Sequence, residues 1–117
     1  AQDVMLAAAK QNKAFNFAEV LYANQGTENT GWATDNMLYQ IAASVPGMKI
    51  APLFAERGSS SVKKEAAQIA ADAQANKVSG TPTIFVSRGG GKLTEVPMAN
   101  GLDETTLVKY LNAAIAG

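Results

Sequence analysis

The sequence predicts an α/β chain in which helix predominates: four or five helices, a β-hairpin near the C-terminus, and a final helix. Three observations lead there. Apolar residues recur at helical spacing through most of the stretch from Ala1 to Val78. The continuously apolar run Ile84-Phe85-Val86 follows Thr81-Pro82-Thr83 and precedes Arg88-Gly89-Gly90-Gly91-Lys92, the pattern of a strand entering a turn. Lastly, Asp103 stands ahead of Leu107, Val108, Leu111 and Ile115, which is a capped helix with one apolar face.

Taken in order, Ala1 to about Gln11 is an alanine-rich helix with Val4, Leu6 and Ala8 available for burial, and Asn12 interrupts it. From Lys13 to Asn24, Phe15, Ala18 and Tyr22 form one stripe and Phe17 and Leu21 an adjacent i, i+4 pair, predicting a wide buried face. Gln25–Gly31 is a polar loop, and Trp32 beyond it reads as a packing residue. Thr34 is placed to cap a helix with Asp35 in its first turn, where negative charge suits the macrodipole. Met37, Leu38, Ile41, Ala42 and Val45 are expected to face inward, and Pro46-Gly47 to stop that helix. A short helix over about Lys49 to Arg57 tolerates Pro52 only in its first turn. Glu28 and Asp35 could be read as a carboxylate pair, but loop solvation and capping explain them better.

One of Ser59, Ser60 and Ser61 is expected to cap the next helix, on which Val62, Ala66, Ile69, Ala70, Ala73 and Val78 make a narrow stripe of small apolar residues. Arg88–Lys92 turns the chain back, and Leu93 to Val96 returns as the second strand. The glycine run does not make a phosphate loop. Val86 stands where that motif needs its first glycine, and Leu93 replaces its hydroxyl residue. Leu102 and Leu107 occupy the two positions of a hydrophobic staple around the Asp103 cap.

At 117 residues the chain is one domain or part of one, and 47% hydrophobic against 17% charged content is that of a folded chain. Ten basic and ten acidic residues balance, with no basic stripe to track a phosphate backbone, so nucleic acid is not an expected partner. The chain has no cysteine and no histidine. Thiol chemistry, imidazole catalysis and the usual zinc sites are therefore excluded within these residues, and no cofactor, metal ligand or catalytic residue is expected. No apolar run approaches the length of a membrane span.

The joint between the long helix and the strand carries the functional signal. Gly80 is expected to supply permissive backbone where the helix ends. Pro82 cannot donate to a sheet ladder, so it belongs at the start of the strand or just before it. Thr81, preceding proline, is pushed toward extended backbone, and the Thr81–Pro82 bond is a candidate for the cis isomer.

Gly80-Thr81-Pro82-Thr83 followed by a short apolar strand resembles the cis-proline loop of thioredoxin-fold disulfide oxidoreductases. The helices before it, and the glycine hairpin and capped helix after it, resemble the DsbA-like branch. Gln25 to Trp32 resembles the stretch between insertion helices in DsbA-like proteins of Gram-positive and actinobacterial type. The fold this implies is α/β and thioredoxin-like, present as a mostly helical fragment with a C-terminal β-hairpin and final helix. Residues 1–79 match the helical insertion and the helix after it, and residues 80–117 match the proline loop, hairpin and last helix. The family's first strands and its Cys-x-x-Cys helix have no counterpart here. With no initiator methionine at Ala1, a truncated or processed domain is expected.

Strand physics points the same way. Ile84-Phe85-Val86 suits a strand covered on both faces, yet the chain offers one short neighbour. Its other edge is expected to take a strand from a missing N-terminal segment or from a swapped homodimer. The resemblance implies a bacterial enzyme acting outside the cytoplasm, whether secreted, periplasmic or membrane-anchored and facing outward. It further implies that Gly80, Thr81, Pro82 and Thr83 bind substrate, the Thr81 backbone pairing with a cysteine-containing polypeptide in extended form. One alternative is a redox-inactive DsbA-like binding or sensor domain of a membrane-anchored protein. Another is an enzyme like the kappa glutathione transferases, whose loop more often reads Gly-Val-Pro than Gly-Thr-Pro.

Overall fold

The computed structural model describes residues 1–99, 101 and 103–117. The chain divides into two compact units, Ala1–Asp72 and Ala73–Gly117.

The first unit holds α1 (Gln2–Ala9), α2 (Ala14–Ala23), α3 (Asp35–Ala43), α4 (Ile50–Glu56) and most of α5 (Ser60–Ala75). α1 packs on both α2 and α4, and α3 packs on α2 and α4. Val4, Leu6, Ala7 and Ala8 of α1 meet Phe17 and Leu21 of α2, Leu38, Ile41 and Ala42 of α3, Leu53 of α4 and Val62 of α5 in one buried cluster. The alanines at 7, 8 and 42 are completely buried, and their small side chains leave room for larger neighbours.

Several helix ends have an identifiable cause. Asn12 takes a left-handed φ of +56° after α1. That conformation lets Lys13 N donate to Ala8 O and Asn12 N to Ala9 O, both at 2.9 Å, closing the last carbonyls of the helix. Thr34 caps α3 by accepting from Met37 N at 3.2 Å. α4 has no cap of its own at Lys49. Instead the Gln11 side-chain amide accepts from Lys49 N at 2.9 Å and donates to Lys49 O at 3.0 Å, fastening the end of α1 to the start of α4. Ser59 Oγ accepts from Val62 N at 3.2 Å at the start of α5. Arg57 grips Asp35 with both guanidinium nitrogens, at 2.7 and 2.8 Å, and lies 5.0 Å from the Phe54 ring centre.

Several apolar residues expected inside lie outside. On α2 only Phe17 and Leu21 are buried; Phe15 is 91% and Tyr22 67% exposed. The helix has neighbours within its unit on the Phe17 side alone, because sequence spacing reveals apolar stripes but not how many partners will cover them. Met37 likewise sits at the rim, while Leu38, Ile41, Ala42 and Val45 are buried as expected. On α5 Val62 is buried, Ala66 packs against the cluster, and Ile69 is exposed.

The second unit comprises the end of α5, the joint, β1 (Phe85–Val86), β2 (Thr94–Glu95) and α6 (Glu104–Ala116). α5 ends earlier than its sequence suggests. Lys77, at a φ of +55°, takes the left-handed position expected at Gly80. Val78 N then donates to Ala73 O at 2.9 Å and Lys77 N to Gln74 O at 3.0 Å, so Gly80 is not needed as the stop.

β1 and β2 are antiparallel, with Phe85 opposite Glu95 and Val86 opposite Thr94. Val96 N extends the pairing to Ile84 O at 2.9 Å. The turn closes through Gly91 N to Arg88 O at 2.9 Å, and Gly89 and Gly90 carry φ values of +57° and +76° that bulkier residues rarely adopt. Arg88 Nη1 donates to Ile115 O at 2.7 Å, tying the turn to the end of α6.

α6 starts at Asp103, whose carboxylate accepts from Thr106 N at 2.9 Å and from Thr106 Oγ1 at 2.6 Å. The helix packs on β1, yet none of its residues is fully buried, and Val108, Leu111 and Ile115 remain exposed. Its expected docking face is therefore only partly covered, since a hairpin two residues deep cannot span it. The staple partner Leu102 lies outside the described residues. β1 pairs only with β2; its other edge meets no strand among the described residues.

Candidate functional site at the proline joint

The four residues singled out in the sequence, Gly80 to Thr83, come together at one place in the second unit. Ser79 through Thr83 line a cavity of about 350 Å³, completed by Glu95, Val96, Met98 and Ala99. The strand register accounts for the meeting of Thr83 and Glu95. Thr83 lies two residues before Phe85, and Phe85 faces Glu95 across the ladder, so Thr83 and Glu95 fall on the same side of the hairpin.

Within the loop the Thr81–Pro82 peptide is cis. Thr83 Oγ1 donates to Gly80 O at 2.6 Å, a local closure that holds the turn on its own strand. Thr81 is exposed and makes no hydrogen bond among the described residues. Neither its N–H nor its C=O is paired with another described residue. Ser79, Thr81 and Thr83 bring hydroxyls to the wall, while Pro82, Val96 and Met98 bring apolar surface.

Glu95 is the only ionisable group lining this cavity, and among the described residues it has no ion pair or hydrogen bond from its side chain. Sequence reasoning passed over it together with Val96, Met98 and Ala99. The signal was available: placing the turn at Arg88–Lys92 sets Glu95 opposite Phe85.

A second cavity of about 320 Å³ lies where Val86 to Gly89 face Leu111, Ala114 and Ile115. It is chiefly apolar and brings no reactive group together. Among the described residues no group of three or more acidic residues is placed to hold a metal ion. Asp35, read as a cap-region carboxylate, is held below the usual aspartate range by its hydrogen bonds to Arg57. Glu28 stays in the exposed loop, and Trp32 packs against the helical cluster, where its Cβ and Cγ would lie 2.8 Å from any Cβ added at Gly26. No helix of the described residues is long and apolar enough to cross a membrane.

Comparison with protein-family models matches residues 1–112 to the DSBA-like thioredoxin domain. Searches of curated proteins and of solved structures returned no significant match.

Proposed function

The chain belongs to the DSBA-like thioredoxin-domain family, and from that premise we propose that it supplies the substrate-docking loop of an extracytoplasmic thiol-disulfide oxidoreductase. One observation supports this reading above the others: Gly80, Thr81, Pro82 and Thr83 line a single cavity, with the Thr81 main chain unpaired among the described residues. A cysteine-containing polypeptide in extended form would pair with Thr81, its side chains alternating between the cavity and solvent.

Thiol–disulfide exchange needs a thiolate to attack one sulfur of a disulfide, forming a new S–S bond as the other sulfur leaves as thiolate. This chain has no cysteine, so its own residues can hold a substrate but cannot carry out the exchange. The thiol pair would come from outside these 117 residues. The same source would complete the sheet. The open edge of β1 would take a strand from another segment of the domain or from a second copy by swapping, because each buried backbone group left unpaired costs about 1–3 kcal/mol. Work outside the cytoplasm suits this chemistry, since disulfides persist in oxidising compartments.

The test is an NMR titration of the chain with an unstructured cysteine-containing peptide. Shifts concentrated at Ser79–Thr83 and Glu95–Ala99 are expected; a peptide that binds elsewhere, or leaves these residues unmoved at millimolar concentration, would refute the docking role. In a dithiol-oxidation assay the chain alone should match buffer. A second reading is a redox-inactive binding or sensor domain of the same fold, in which the unpaired Thr81 main chain would hold a partner without thiol exchange. A natural full-length protein without a Cys-x-x-Cys pair would select it, and one with the pair would reject it.

A further inference from the structure

The proline-loop cavity has a charge character that the docking role alone does not require. Its wall carries one ionisable group, Glu95, together with the polar Ser79, Thr81 and Thr83 and the apolar Pro82, Val96 and Met98. No lysine or arginine lines it: Lys77 precedes the joint and Lys92 belongs to the far turn, and neither contributes to the wall. The Glu95 carboxylate has no partner of its own among the described residues. An uncompensated carboxylate in a cavity that also offers apolar surface matches one kind of side chain well, a basic one. Such a chain can lay its methylene stem on Pro82 and Met98 while its cationic head meets the carboxylate.

We propose that Glu95 makes this cavity selective for extended polypeptide segments that carry a lysine or arginine beside the docked stretch. The inference rests on the docking role proposed above and names the substrate class for the same site. β2 holds Glu95 by its ladder pairing with Phe85, and the loop keeps Thr81 available to the peptide backbone. Backbone pairing would thus supply affinity, and the carboxylate would supply choice. An acidic segment would be disfavoured by the same charge.

Three peptides of one sequence, differing only in a lysine, glutamine or glutamate next to the central cysteine, test this by NMR titration of the 117-residue chain. Affinity should fall in the order lysine, glutamine, glutamate. The lysine and glutamate peptides should differ by roughly fivefold at low salt, the scale of an exposed charge pair gained against one opposed. At about 1 M salt, where screening acts within about 3 Å, the difference should shrink toward none. Glu95→Gln should remove the discrimination between the lysine and glutamate peptides, and Glu95→Lys should reverse the order. Because Glu95 is exposed, both variants should keep the wild-type amide spectrum away from the hairpin, which checks that they fold. Equal affinities for all three peptides, with shifts still centred on Ser79–Thr83, would overturn the charge selectivity and leave docking intact. Absence of shifts at Ser79–Thr83 with every peptide would overturn the docking role and this inference with it.

Discussion

The two units of this chain bury their apolar side chains to very different degrees. In Ala1–Asp72, Val4, Phe17, Leu38, Ile41, Leu53 and Val62 are nearly or wholly removed from solvent. In Ala73–Gly117, Val96 is the one fully buried hydrophobic among the described residues, while Val108, Leu111 and Ile115 stay open. The cause lies in how each kind of element satisfies itself. A helix closes its backbone hydrogen bonds internally and needs only neighbours for its apolar face, and α1 to α4 provide those for one another. A strand closes its bonds only through other strands, and among the described residues β1 has β2 alone. The part that carries the candidate site is therefore the part whose apolar surface is less covered and whose strand edge is open among the described residues.

The sharpest way to break this contrast is to truncate one large buried side chain. Phe17→Ala removes a ring with no exposed surface from the centre of the helical cluster. It should cost about 3–5 kcal/mol, read as a drop in the urea midpoint of the helical signal. A loss below about 1 kcal/mol would mean that the first unit is no better packed than the second.

A middle-sized effect probes local structure in the same unit. Thr34→Ala deletes the hydroxyl that accepts from Met37 N, leaving an unfilled donor at the start of α3. The expected cost is about 1 kcal/mol, and Thr34→Ser should recover most of it. Leu111→Ala, on the half-covered face of α6, should cost less than about 1 kcal/mol because much of the side chain already meets water. Hydrogen exchange gives an independent reading: amides of α6 and the hairpin should exchange faster than those of α1 and α2. If Leu111→Ala proved as damaging as Phe17→Ala, the second unit would be better closed than its exposures indicate.

These expectations also mark how far the amino-acid pattern reaches. The caps were legible, because Thr34, Ser59 and Asp103 act on backbone three residues away. So were the hairpin and its turn, since Gly89 and Gly90 meet a local demand for positive φ. The exposure of Phe15 and Tyr22 was not legible, because it depends on which helix faces receive neighbours, a property of the assembled unit. The end of α5 was misplaced for a different reason. Lys77, an ordinary residue, adopts a conformation that composition assigns to glycine, and two hydrogen bonds hold it there. At the candidate site the contiguous loop residues were legible, whereas Glu95 required the strand register.

The smallest predicted effect compares two aspartates, one per unit, whose carboxyls both titrate below the usual range for different reasons. Asp35 is lowered first by its hydrogen bonds to Arg57 and further by that residue's charge. Asp103 is lowered by the Thr106 hydroxyl, then by the Thr106 backbone N–H, which are neutral donors. A carboxyl whose folded pKa lies below its unfolded value contributes stability that is complete above the unfolded value of about 3.9. That contribution is lost as pH falls through the lowered folded value. Acidification below about pH 4 should therefore loosen the start of α6 and the Asp35–Arg57 tie, with no change from either between pH 5 and 8. Salt separates the two. About 1 M salt should bring the Asp35 titration back toward the usual range by screening Arg57, while Asp103 should stay low because its donors carry no net charge. Carboxyl carbon NMR shifts followed against pH at both ionic strengths provide the measurement. Asp103→Asn should keep an acceptor for Thr106 N and abolish the acid-induced fraying of α6; fraying that persisted in this variant would mean that the cap is not its cause.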